Sequence, residues 1–189
     1  MTNRRLFIAS SLTLFMLWVA AERDDVAALL RAGGVVIALR HALAPGTFDP
    51  PGFHPGVCST QRNLSDEGRA QARRIGAWFD ARSLKPARVR SSPWCRCLDT
   101  ATLAFGRAES WAPLGSPYSA AETTNAASLQ ALHAALAAAA AKPGFEIWVT
   151  HQFVLQRLVD VTTQSGEALA LGAAAAGGAP KVLGRLLVI

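Results

Sequence analysis

Val35-Val36-Ile37-Ala38-Leu39-Arg40-His41 is the stretch on which the fold turns. Five apolar residues, three of them β-branched at the start, run without polar alternation. A strand that exposes one face to water alternates; a strand covered on both faces does not. The run therefore predicts a buried strand of a helix-covered sheet, one that carries Arg40 and His41 to its C-terminal end. Glu146-Ile147-Trp148-Val149-Thr150 repeats the design and ends in His151.

Outward from these two runs, the chain alternates between strand and helix patterns. A short helix is expected over Arg23 to Arg31, stopped by Gly33 and Gly34. Ser65 is a suitable N-cap, with Asp66 and Glu67 complementing the positive end of a helix that reaches about Arg82. Arg88 to Ser91 reads as a strand, Trp94 to Leu103 as a helix, and Leu129 to Ala141 as an alanine-rich helix halted by Pro143-Gly144. Phe153 to Val161 is expected to be helical. Ala168 to Leu171 and Val182 to Ile189 are expected to be strands joined by a Gly/Ala/Pro turn. The pattern predicts one domain, a three-layer α/β/α sandwich with a mostly parallel central sheet. Residues 42–63, rich in Pro and Gly, and residues 108–125 read as loops, and irregular connections of this length are often functional.

The N-terminus reads differently. Arg4 and Arg5 precede an uncharged stretch from Leu6 to Ala21, and Val19-Ala20-Ala21 supplies small residues for cleavage before Glu22. That layout predicts a secretory leader over residues 1–21 and a mature domain over 22–189, in the periplasm or outside the cell. The alternative is an uncleaved anchor, although 16 uncharged residues fall short of the roughly 20 that span a bilayer. A membrane partner is expected only if the leader stays. Without it, 17 Lys and Arg stand against 13 Asp and Glu, a net charge of about +4. A mildly basic domain suits an anionic substrate, and the sequence lacks the basic runs and aromatic ladders that a nucleic-acid partner requires.

Three cysteines, Cys58, Cys95 and Cys97, predict one disulfide in an oxidising compartment, from Cys58 to either Cys95 or Cys97. Cys95-X-Cys97 has no second Cys/His pair at zinc spacing, so no metal is expected. Neither cysteine opens a five-residue loop ending in arginine, which argues against a thiol-based phosphatase.

Ligands bind beyond the carboxyl ends of strands in open α/β sheets, so His41 and His151 can share a pocket. Arg40 adds fixed charge beside them. Ser91-Ser92-Pro93-Trp94-Cys95-Arg96-Cys97-Leu98-Asp99-Thr100-Ala101 places Arg96 in the first turn of a helix, where free backbone N–H groups also favour anions.

These motifs, in this order, resemble the histidine phosphatase superfamily, also called the phosphoglycerate mutase-like fold. Arg40-His41-Ala42 is similar to the family's Arg-His-Gly triplet, and Leu64 to Ala72 resembles its next element. Ser91 to Ala101 matches its Ser-Ser-Pro-x-x-Arg-x-x-x-Thr-Ala stretch, and His151 matches its second histidine. The resemblance implies a phosphomonoesterase of histidine acid phosphatase type, acting on a small phosphorylated substrate without a cofactor. His41 would form a phosphohistidine, while Arg40, Arg96 and His151 would bind the phosphate oxygens, joined by Asn63 from the start of its helix. Alanine at position 42 disfavours the positive φ open to glycine. The general acid is assigned to Glu122. Asp49 and Glu109 are further possibilities, Glu167 is a candidate for orienting the pocket, and Gln152 stands where some relatives carry an acid. The competing reading is a phosphate-binding protein of the same fold with little turnover.

Overall fold

A computed structural model describes residues 25–116, 123–174 and 178–188. The expected leader and Glu122 lie outside the described residues. Helix α1 occupies 25–32, and strand β1 follows at Val35–Arg40. Then come α2 (Asp66–Asp80), β2 (Arg88–Ser91), α3 (Cys95–Phe105), the two-residue β3 (Glu109–Ser110), α4 (Ala126–Ala140), β4 (Phe145–Thr150), α5 (Gln152–Val159), β5 (Glu167–Gly172) and β6 (Lys181–Leu187). No helix among the described residues is long and apolar enough to cross a membrane.

β1 is covered on both faces, as its unbroken apolar run requires. Val35, Ile37 and Leu39 point into a core shared with α1, α2 and α3, through Val26, Leu30, Ile75, Phe79, Cys97 and Ala101. Val36 and Ala38 point the other way, into a core with α4 and α5 that includes Leu132, Leu136, Val154, Leu155 and Trp148. Successive strand residues point to opposite faces, so one short run feeds two cores. The three layers follow directly.

The six strands run in the order β3-β2-β4-β1-β5-β6. The sheet is mixed, not mostly parallel. β3–β2, β2–β4 and β4–β1 pair parallel, whereas β1–β5 and β5–β6 pair antiparallel. The cause lies in α5, which is only eight residues long. At 1.5 Å per residue it advances about 12 Å, and its end at Asp160 turns in the left-handed region. The chain thus stays near the carboxyl end of the sheet. Gly166 N then donates to the carbonyls of Arg40 and His41 at the tip of β1. A strand that starts where β1 finishes must run back against it. Periodicity reports burial but carries no strand direction.

Helix starts follow their caps. Ser65 accepts from Gly68 N, as its residue type predicts, and opens α2. Asn125 accepts from Ser128 N at 2.8 Å, which starts α4 three residues ahead of the expected Leu129. Gly68 is required by a close approach. A Cβ there would stand 2.0 Å from the Leu43 carbonyl oxygen, so only glycine lets α2 pack against the turn that follows His41.

Candidate active site

The parallel register places Arg40 opposite Thr150, and the next residues are His41 and His151. His41 N donates to the Thr150 carbonyl at 2.9 Å, extending the ladder past the strand end. The two imidazoles meet edge to face with centroids 5.5 Å apart. They line a cleft of about 370 Å³ with Arg40, Arg62, Gly46, Thr47, Gln152, Phe153 and Gln156. The sheet therefore brings the two sequence-predicted histidines and Arg40 together, as expected.

His41 is oriented by its own neighbour. Its Nδ1 lies 2.8 Å from the Ala42 carbonyl oxygen. A carbonyl only accepts, so Nδ1 carries the proton and Nε2 keeps its lone pair. Ala42 is held in turn, donating from its N to Thr100 Oγ1 at 3.0 Å, while Thr100 Oγ1 donates to the Arg96 carbonyl at 2.7 Å. The threonine of the Ser-Ser-Pro stretch thus ties α3 to the turn after His41. Ala42 is not among the positive-φ residues, so alanine sits there without backbone strain.

His151 is 2% exposed and closely packed. Its Nε2 is 2.7 Å from Ser92 Oγ, and its Nδ1 faces Arg96 NH2 at 3.5 Å. Arginine only donates, so the arrangement fits a ring that accepts at Nδ1 and donates from Nε2 to Ser92. Phe153 stacks on the ring at 5.0 Å and Trp94 meets it edge-on at 5.8 Å.

Burial, first of all, lowers the pKa of both histidines. His41 falls to about 3; the Ala42 carbonyl works against the shift, while the charges of Arg96, Arg62 and Arg40 add to it. His151 lies well below its ordinary value through burial, then Arg96 and His41. Both rings are neutral at physiological pH, the form in which an imidazole is a nucleophile.

Arg40 NH1 donates to the Thr163 carbonyl, and Thr163 is itself fixed by Gln152, whose Oε1 accepts from Thr163 N and Oγ1. Gln152, at the position where some relatives carry an acid, thus braces the segment against which Arg40 rests. Arg96 is 1% exposed and does not line the cleft. Its NH1 donates to both oxygens of Asp49, at 2.8 and 3.1 Å. Asp49 also accepts from Trp94 Nε1 and from Arg62 N. Asn63 turns into its own loop, with Nδ2 donating to the carbonyls of Cys58 and Gln61.

The remaining acidic candidates are placed elsewhere. Glu109 pairs with Arg88 on the sheet edge. Glu167 is buried and accepts from Gln164 N and Arg185 Nε, which shapes the turn into β5. The sequence reading missed Arg62 as a lining residue, and Ser92 and Thr100 as residues that hold the site. Ser92 and Thr100 lie inside the Ser91 to Ala101 motif. Arg62 lay one position from Asn63, in a loop without periodicity.

The disulfide joins Cys58 to Cys95, closing one of the two expected pairings. It pins the long loop to the start of α3, beside Arg96. Gln61 Oε1 reinforces the joint by accepting from Cys95 N at 3.1 Å. Cys97 is buried and its thiol is pushed up to about 12, chiefly by burial, so it is protonated and unreactive.

Residues 56–114 match the model of the histidine phosphatase superfamily (branch 1). Solved structures share the fold at low identity. The protein histidine phosphatase SixA, complexed with tungstate, aligns with TM-score 0.55 and 16% identity over 80% of this chain and 96% of its own. A mutant phosphoserine phosphatase from Entamoeba histolytica, in complex with phosphoserine, aligns with TM-score 0.54 and 14% identity over 80% and 95%. The mycobacterial glucosyl-3-phosphoglycerate phosphatase Rv2419c aligns with TM-score 0.50 and 16% identity over 72% and 89%. No curated protein matches the chain.

Proposed function

We propose that this histidine phosphatase superfamily chain is a phosphohydrolase that cleaves a small phosphomonoester through a phosphohistidine on His41. The observation that carries the reading is the fixed tautomer of His41. Its Nδ1 proton is held on the Ala42 carbonyl and its Nε2 lone pair is left for attack, beside a cleft walled by arginine.

In the first step the Nε2 lone pair forms the N–P bond as the ester P–O bond breaks. The departing oxygen takes up a proton. The ring becomes a cationic N-phosphorylimidazole, and the Ala42 carbonyl at Nδ1 stabilises that charge. Water then attacks phosphorus, the N–P bond breaks, and the pair returns to nitrogen as phosphate leaves with a proton lost to solvent. Phosphoryl transfer depends mainly on positioning and charge stabilisation. Arg40 supplies charge from the tip of β1, Arg96 from beneath His151, and the His151 ring fills the space opposite the nucleophile.

Protonation of the leaving oxygen is assigned to Glu122. Asp49, Glu109 and Glu167 are each committed to an arginine, which supports the assignment. The similar structures include a protein histidine phosphatase, a phosphoserine phosphatase and a glucosyl-3-phosphoglycerate phosphatase. They support phosphohydrolysis and leave a small monoester as our choice, since the cleft is about 370 Å³. The Cys58–Cys95 bridge supports an oxidising compartment, the periplasm or the exterior.

Release of phosphate from p-nitrophenyl phosphate by the purified protein tests the reading. Turnover is expected, with a loss on the order of 10⁴-fold or more in His41→Ala, as when a nucleophile working with partners is removed. Activity that survives in His41→Ala sinks it. Glu122→Gln is expected to slow hydrolysis of alkyl phosphates while sparing p-nitrophenyl phosphate, whose leaving group needs no acid. Equal rates on both substrate types would remove Glu122 from the mechanism.

A further inference from the structure

Two arginines reach the site from outside the sheet, and they differ in their access to the cleft. Arg96 is buried, its NH1 lies on both oxygens of Asp49, and its NH2 faces His151. It pairs with Asp49 and is absent from the cleft wall. Arg62 is half-buried and forms part of that wall, with Arg40, His41 and His151.

Arg62 is also fixed in place. Its backbone N donates to Asp49 Oδ1 at 2.9 Å, so the carboxylate that holds Arg96 sets the position of Arg62 as well. Its NH1 donates to the Ala44 carbonyl at 2.6 Å, at the start of the same loop. The residues on either side are anchored: Gln61 by Cys95 N, Asn63 by two loop carbonyls, and Cys58 by its disulfide. A guanidinium has five donors in a rigid planar fork that matches phosphate oxygens, and its order is already imposed before a ligand arrives.

We propose that Arg62 is a substrate-binding residue whose guanidinium takes a phosphate oxygen in the cleft, with Asp49 and Arg96 forming the buried anchor that aims it. The inference deepens the phosphohydrolase reading and rests on it for the identity of the ligand. Its test does not depend on turnover.

Calorimetric titration with inorganic phosphate is the first readout, and KM for p-nitrophenyl phosphate the second. Arg62→Ala is expected to weaken phosphate binding and raise KM by roughly ten- to a hundredfold, the loss of a hydrogen bond to a charged group. Arg62→Lys is expected to recover part of the phosphate affinity, because it returns the charge without the fork. If Arg62→Ala fails to fold, Arg62→Lys is compared with Arg62→Gln; tighter phosphate binding by the lysine variant supports the proposal. Phosphate affinity in Arg62→Ala equal to the parent's, or equal in the lysine and glutamine variants, overturns it and makes Arg62 a loop brace. A parent that binds phosphate but turns nothing over contradicts the phosphohydrolase reading alone, and the titrations still decide on Arg62. A parent that binds no phosphate overturns both.

Discussion

The site has two halves that are held by different physics. His41 and His151 stand at the tips of neighbouring parallel strands, and the backbone ladder fixes them relative to each other. Asp49 and Arg62 belong to the connection between β1 and α2, which has no ladder. They are held by side chains: the Asp49–Arg96 ion pair, the Gln61 contact and the Cys58–Cys95 bridge. The comparison teaches a division of labour. The sheet sets where His41 stands, and the cross-linked loop sets where Arg62 meets the cleft. A defect in the loop should therefore reach the chemistry through binding, while a defect at the strand tips should reach it directly.

The largest effect that would sharpen this contrast is removal of the bridge. Cys58→Ser with Cys95→Ser releases a loop of 37 residues by sequence separation. A loop of that size corresponds to about 3–4 kcal/mol in the chain-entropy account. The double variant is expected to lose stability on that scale in denaturant titration, and its KM is expected to rise more than its kcat falls. A fall in kcat at constant KM would break the division of labour.

A smaller effect belongs to the strand half. His41 and His151 are neutral in the folded protein, whereas unfolded histidines titrate near 6.5. The unfolded chain thus binds protons that the folded chain excludes. This contribution to stability is complete above pH 6.5 and is lost as pH falls from there toward about 3, the value for His41. The melting temperature is expected to drop between pH 7 and pH 4, and to drop less steeply in His41→Gln. An unchanged slope in the variant would show that burial of this ring does not drive the acid sensitivity.

Much of the strand half was legible in the amino-acid order. An uninterrupted apolar run records burial on two faces, and the residue that follows it must emerge at the sheet's edge. Ser65 could be read as a cap because capping is local. The loop half was not legible, since Asp49, Arg62 and Arg96 are separated by 13 to 47 positions and meet only after the chain closes on itself. Arg62 and Asn63 are adjacent and both polar, and only the tertiary path decides which faces the cleft. The direction of β5 escaped for a related reason: it depends on the short length of α5, not on the pattern within β5.

Covalent capture of the phosphoryl group tests the central claim most directly. The protein is mixed with a phosphomonoester, quenched in denaturant at alkaline pH, digested, and its peptides examined by mass spectrometry. The account predicts an acid-labile, alkali-stable phosphoryl group on the peptide that contains His41, absent from His41→Ala. Phosphate release with no such adduct, or an adduct on another residue, would contradict it.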